Sequence, residues 1–153
     1  MIDLCEKKFS FIDMDDFCAL GVLRGGMTTY MSARQDKRIK KIVVVSGIGD
    51  LLSAYEERDD LREMIRTCLG GTPEEKPEEY KKRSALYWTD EIKIPVLIVH
   101  SKQDVKTRYE TQAEKVSHPY TVWVENHLPG REIGSPPHRS MIIEMRFSIL
   151  RKP

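Results

Sequence analysis

Long apolar runs are missing from this sequence. The longest, such as Ile42 to Val45 and Val96 to Val99, are of strand length, far below the roughly 20 residues of a membrane-spanning helix. The opening Met1-Ile2-Asp3-Leu4-Cys5-Glu6 lacks the basic region and longer apolar stretch of a secretory signal, so a cytoplasmic protein is expected. Cysteine is scarce: Cys5, Cys18 and Cys68 are odd in number, far apart and without a CxxC pair, which argues against a disulfide framework and a zinc site. Reduced, mostly buried thiols are expected. An excess of either charge is also absent. With 25 Lys and Arg against 24 Asp and Glu, no net field draws the chain to nucleic acid or an anionic membrane. His100 and His118 have no companions at ligand spacing, so neither a metal nor another cofactor is expected. Repeats, linkers and low-complexity tracts are lacking too, and a 40% hydrophobic, 32% charged composition is that of one globular domain spanning 1–153.

What is present is an alternation of strands and helices. Lys41-Ile42-Val43-Val44-Val45 and Pro95-Val96-Leu97-Ile98-Val99 are continuous β-branched runs, suited to strands covered on both faces of a parallel sheet. Phe17 to Val22 and Tyr120 to Val124 are weaker candidates, making four strands in all. Leu61, Met64, Ile65 and Cys68 recur at helical spacing, with Gly70-Gly71 as the stop. Thr72-Pro73-Glu74-Glu75 reads as the entrance to a second helix running toward Trp88. After the Ser135-Pro136-Pro137 breaker, a last helix from about His138 to Leu150 would set Ile142, Met145 and Ile149 against the sheet. The order implies an α/β fold, a mainly parallel sheet flanked by helices, with a strandless helical excursion over about 50–89. Such excursions often cover a site.

The first candidate strand runs into Gly21-Val22-Leu23-Arg24-Gly25-Gly26-Met27 and a helical stretch reaching Ala33. Strand, tight glycine turn and helix are the context of the GxSxG nucleophile elbow, in which small flanking residues let a strained serine project from the sheet. Here the third position is Leu23, which has no hydroxyl to deprotonate and cannot form an acyl-enzyme. Taken alone, the same turn also suits a purely structural strand-to-helix connection.

Several segments, in order, resemble the prolyl oligopeptidase family of serine peptidases and its acyl-peptidase and esterase relatives. Ile2-Asp3-Leu4 through Phe11-Ile12-Asp13-Met14-Asp15 is similar to the helix and turn before that family's elbow, and Leu20 to Tyr30 to the elbow itself. Ser84-Ala85-Leu86-Tyr87-Trp88 followed by Ile94 to His100 resembles the approach to its acid-bearing strand. The resemblance implies a partial α/β-hydrolase fold and peptide or acyl-ester ligands. It also implies that Asp104, closing the HGxxD-like turn His100-Ser101-Lys102-Gln103-Asp104, takes the acid's place. His127, just after the last strand, takes that of the general base, with His138 as the fallback. The backbone N–H of Arg24 would serve the oxyanion, and Leu23 stands at the nucleophile's position.

The sequence departs from the family pattern in three ways. Leu23 replaces the serine. The Asp104–His127 segment is shorter than the family's helix and strand, implying a clipped helix near Glu110 to Val116. The chain starts at the helix before the elbow, so the first strands of the hydrolase sheet and the loop supplying the second oxyanion donor are expected to be absent; loss of one such donor costs an active enzyme about 2.7–4 kcal/mol. A catalytically silent hydrolase and a non-enzymatic interaction domain therefore both remain open. Phe17 to Val22 would be an exposed edge seeking self-association or an N-terminal partner. Plainer roles stand beside the catalytic ones. Asp104 could cap the following helix or stay solvated, His127 could lie on a surface loop, and Tyr87 and Trp88 suit packing. Ser46 and Ser101 are off the elbow and poor substitutes as nucleophiles, and Glu74 to Arg83 reads as a solvated helix face with i to i+4 ion pairs.

Overall fold

The four apolar runs form one sheet. The structure, a computed structural model, describes residues 2–117 and, as backbone, 121–125. Strands β1 (Cys18–Val22), β2 (Lys41–Val45), β3 (Val96–Ser101) and β4 (Thr121–Glu125) lie in the spatial order β1-β2-β3-β4, and every neighbouring pair is parallel. Parallel pairing requires crossovers, and these are the helical segments. β1 begins one residue later than the sequence suggests, because Phe17 contributes only its carbonyl, accepting from Lys40 N at 2.9 Å.

The register sorts side chains by face. Ala19, Ile42 and Val96 align in one row, and Gly21, Val44 and Ile98 in the next. Against this face pack Tyr30 and Ala33 from helix α2 (Arg24–Gln35), together with Ala85, Trp88, Ile92, Ala113 and Val116. Each such aliphatic side chain removed from water contributes about 1.5–3 kcal/mol. The other face carries Leu20, Val43 and Leu97 in one row and Val22, Val45 and Val99 in the next. Val43, Leu97 and Val99 are buried, whereas Leu20 and Val22 are exposed.

Helix α1 (Ile2–Lys8) has no fully buried residue; Ile2 packs partly buried against the core, and ion pairs tie down the rest. Arg38 reaches Asp3 at 2.7 Å, Glu6 at 2.8 Å and Asp36 at 2.6 Å. Hydrogen bonds from Arg38 hold the Asp36 carboxyl down to about 2.

Three helices lie between β2 and β3: α3 (Leu51–Glu57), α4 (Asp59–Leu69) and α5 (Pro77–Arg83). Ile48, Leu51, Ala54, Ile65, Leu69 and Tyr80 form a second apolar cluster, on which Met27 of α2 also packs. Two sequence expectations need correction here. Thr72-Pro73 opens only one closed turn: Thr72 N and Glu75 Oε2, and Lys76 N and Thr72 O, both pair at 2.9 Å. Pro77 then forces Lys76 out of helical geometry (φ −135°, ψ 49°), so α5 starts at Pro77. It stops at Arg83, where Ser84 turns extended and gives its hydroxyl to Tyr80 O at 2.8 Å; tight turns at Ala85–Tyr87 and Thr89–Glu91 replace the helix expected toward Trp88. The charged run does form short-range pairs, Lys81 with Glu78 and Arg83 with Glu79.

The thiols are also more exposed than expected. Cys18 and Cys68 are exposed, Cys5 is half-buried, and none is in a disulfide. Cys68 is displaced because the buried stripe of α4 is centred on Ile65 and Leu69, and Cys18 because it lies on the exposed face of β1. Between β3 and β4 the chain makes a single wide turn of π-helix, Glu110–Glu114. Among the described residues, no helix is long and apolar enough to cross a membrane. The segment from His138 to Leu150 lies outside the described residues, as do His118 and His127.

Candidate active site at the carboxyl edge of the sheet

All four strands point the same way, so the residues that follow them collect along one edge of the sheet, where open α/β sheets bind ligands. Leu23 follows β1, Ser46 follows β2 and the turn carrying Asp104 follows β3. His127 and its fallback His138 lie beyond the described residues.

Leu23 is the hinge between β1 and α2. Its backbone has φ 52° and ψ −117°, a conformation that L-residues rarely adopt, and its side chain is 46% exposed. The strain is held by three backbone hydrogen bonds: Leu23 N donates to Val45 O at 3.1 Å, while Leu23 O accepts from Gly26 N at 3.0 Å and Ile48 N at 3.3 Å. Gly21 and Gly26 have steric reasons to be glycine, whereas a Cβ on Gly25 would meet nothing within 4 Å. A Cβ on Gly21 would stand 2.3 Å from Gly25 O and from Thr29 Oγ1; one on Gly26 would stand 2.6 Å from the Cα of Gly47. The turn therefore brings α2 against β1 and β2 at distances that only hydrogen side chains permit. Arg24 is the first residue of α2, so its N–H has no partner within the helix and points at the helix entrance. Its guanidinium reaches α4, with Nη1 3.0 Å from the Met64 sulfur.

Asp104 is buried, at 8% exposure. Its Oδ1 accepts from Lys106 N and Thr107 N, both at 2.9 Å, and its own N–H donates to Ser101 O at 3.2 Å. It does cap the turn that follows β3, and this capping fixes one oxygen while the carboxylate retains a second. Two further groups secure the turn. His100 Nε2 lies 2.6 Å from Thr107 O, and Arg58 at the start of α4 donates from Nη1 to Lys106 O at 3.1 Å. Arg58 also grips Asp60 through Nε and Nη2, at 2.7 and 2.6 Å, and this contact raises its pKa.

The two other serines differ. Ser101 Oγ accepts from Gln103 N at 3.2 Å and shapes the turn that carries Asp104. Ser46 has φ 45°, a left-handed backbone that sequence reading gave no sign of, and its N–H donates to Val99 O at 2.8 Å.

A strained, half-exposed residue between a strand and a helix, with an orphan amide next to it and a buried carboxylate two strands away, is the architecture of a hydrolase elbow. Residues 1–118 match the prolyl oligopeptidase family of peptidases. The chain belongs to the prolyl oligopeptidase family. Over 94 residues it is 34% identical to the uncharacterized peptidase YtmA of Bacillus subtilis (strain 168), a match covering 61% of this chain and 37% of the relative. The fold superposes on an acylaminoacyl peptidase from Pyrococcus horikoshii with a TM-score of 0.76 at 24% identity, covering 95% of this chain and 26% of that one. A puromycin-hydrolyzing peptidase from Mycobacterium tuberculosis gives a TM-score of 0.71 at 23% identity, covering 81% and 20%. These structural likenesses concern the fold. The chain spans well under half the length of the curated relative and about a quarter or less of these two structures.

Proposed function

We propose that this chain is a prolyl oligopeptidase-family hydrolase domain whose site, which in intact form would cleave peptide or ester bonds, is catalytically silent because Leu23 stands where the nucleophile is required. The observation that carries this reading is the conformation of Leu23. The strain of an elbow is retained, at φ 52° and ψ −117°, around a side chain with no nucleophilic atom. In the ancestral arrangement a hydroxyl at position 23 would attack and the Arg24 N–H would bind the oxyanion. Asp104, through the oxygen not used for capping, would orient an imidazole contributed by His127 or by His138. The ligand class is a peptide or acyl ester, with no metal or cofactor, in the cytoplasm.

The test is covalent. Wild type and Leu23→Ser are incubated with a fluorophosphonate probe and a short acyl ester. Labelling and turnover by the serine variant alone is the expected result; it would mean that acid, base and oxyanion donor persist around a lost nucleophile. Labelling of wild type would overturn silence and direct attention to Ser46 and Ser101. Labelling of neither protein would mean that this chain does not by itself assemble the site.

One observation favours a second, non-enzymatic use. β1 is a terminal strand of the described sheet, and Leu20 and Val22 on it are 55% and 48% exposed. An interaction domain that binds a partner strand there, either a second copy or an N-terminal portion of a hydrolase sheet, would retain the fold without the chemistry.

A further inference from the structure

The turn that carries Asp104 is fastened by a buried histidine that the proposed chemistry does not use. His100, the next-to-last residue of β3, is 1% exposed. Its Nε2 lies 2.6 Å from the carbonyl oxygen of Thr107. A carbonyl only accepts, so Nε2 bears the hydrogen, and in a neutral imidazole Nδ1 is then a bare acceptor. Among the described residues Nδ1 is buried without a hydrogen-bond partner. The Tyr109 ring stands edge-on to the imidazole at 6.0 Å, and Val124 of β4 is opposite His100 in register.

From His100 a short relay reaches the carboxylate. His100 holds the Thr107 carbonyl, Thr107 N–H and Lys106 N–H hold Asp104 Oδ1, and Asp104 N–H returns to Ser101 O. The loop is closed on itself, and among the described residues its side-chain fastenings besides Asp104 and Ser101 are the Arg58 guanidinium, which stays charged, and the His100 imidazole. We propose that His100 is a positioning residue for Asp104: as a neutral Nε2–H tautomer it clamps Thr107 and fixes the carboxylate, and a second proton at Nδ1 releases the turn. This rests on the reading of Asp104 as the acid position.

Burial makes the release acidic. Burial lowers the pKa of His100 and outweighs the Thr107 carbonyl, Asp104 and Glu110, each of which favours the imidazolium; Lys102 lies over the Tyr109 ring, 5.5 Å from its centre. A histidine whose folded pKa lies below its unfolded value, about 6.5, binds protons more weakly when folded. The stability it supports is therefore complete above that unfolded value and declines as pH falls toward the lowered one.

Nitrogen and amide NMR of the full chain across pH tests the inference without any need for catalysis. The expected result is an imidazole with its hydrogen on Nε2 alone, titrating below an ordinary histidine, with the Lys106 and Thr107 amides moving at the same midpoint. His100→Gln keeps a donor nitrogen and cannot titrate, so amide protection should persist while the acid transition disappears. His100→Phe keeps bulk without the donor, and exchange of those two amides should rise roughly tenfold. An Nδ1–H tautomer, or an acid transition that survives in His100→Gln, would overturn the proposal by making Asp104 itself the titrating group. In a Leu23→Ser background that labels, His100→Phe should slow labelling more than His100→Gln does. If Leu23→Ser does not label, only the assignment of Asp104 as an acid is lost, and the amide behaviour still decides the role of His100.

Discussion

Leu23 is where sequence and conformation are in open conflict. A leucine at φ 52° and ψ −117° carries backbone strain, and at 46% exposure it recovers only part of the burial that could offset it. Backbone strain of this type costs about 1–3 kcal/mol, and glycine escapes it at an unfolded-state penalty of about 0.5–1 kcal/mol. Leu23→Gly is therefore expected to raise stability by about 0.5–2 kcal/mol, read as a higher urea midpoint with an unchanged slope. A lower midpoint would mean that the leucine side chain contributes more packing than its exposure suggests. The glycine spacing around Leu23 made this turn legible in the sequence, because Gly21 and Gly26 lie where any Cβ would collide. The similar strain at Ser46 was not legible. No glycine marks the position itself, and a φ of 45° there follows from the path of β2 into the loop that holds Ile48 against the elbow.

At the scale of elements, the loop after β2 is the junction on which the helical insertion is mounted. Gln112, buried on the wide turn before β4, accepts from Gly49 N at 3.0 Å and Asp50 N at 2.9 Å and donates to Asp50 O at 3.0 Å. Ser84 accepts from Leu51 N at 2.9 Å, and Asp50 caps α3 while its other oxygen takes Ser53 Oγ at 2.6 Å and Lys115 Nζ at 3.2 Å. A single amide thus satisfies three backbone groups that water cannot reach. Gln112→Leu keeps the volume and strands those groups, and should destabilise by about 2–5 kcal/mol, measured by urea unfolding. A loss within about 0.5 kcal/mol, the size of an ordinary surface substitution, would mean that the loop finds other partners. None of this network was visible beforehand. Periodicity reports which face of an element is apolar, whereas Gln112 and Gly49 are 63 positions apart and meet only after the sheet has formed. The strands were legible because uninterrupted β-branched runs admit few alternatives. The entrance at Thr72-Pro73 misled because its capping signals are genuine but close only one turn before Pro77 interrupts it.

At the scale of the molecule, the sheet is buried unevenly. All-parallel sheets are ordinarily covered on both faces, and along the rows Leu20–Val43–Leu97 and Val22–Val45–Val99 the burial is complete at Val43, Leu97 and Val99, partial at Val45 and lost at β1. Leu20, Val22 and Leu23 then present a continuous apolar margin at the terminal strand of the described sheet. Unpaired, apolar strand margins recruit other chains, and lysine is the residue that natural sheets place there to prevent it. If this margin is an interaction surface, the purified chain should move toward larger species in sizing with light scattering as its concentration rises. Leu20→Lys and Val22→Lys should each reverse that shift. Their unfolding midpoints should stay close to wild type, since half-exposed side chains on a margin contribute little to the monomer's core. A wild-type chain that stays monomeric at every concentration would exclude self-pairing and leave a different partner for β1. A drop in stability in the lysine variants would instead show that β1 is covered from within the same chain.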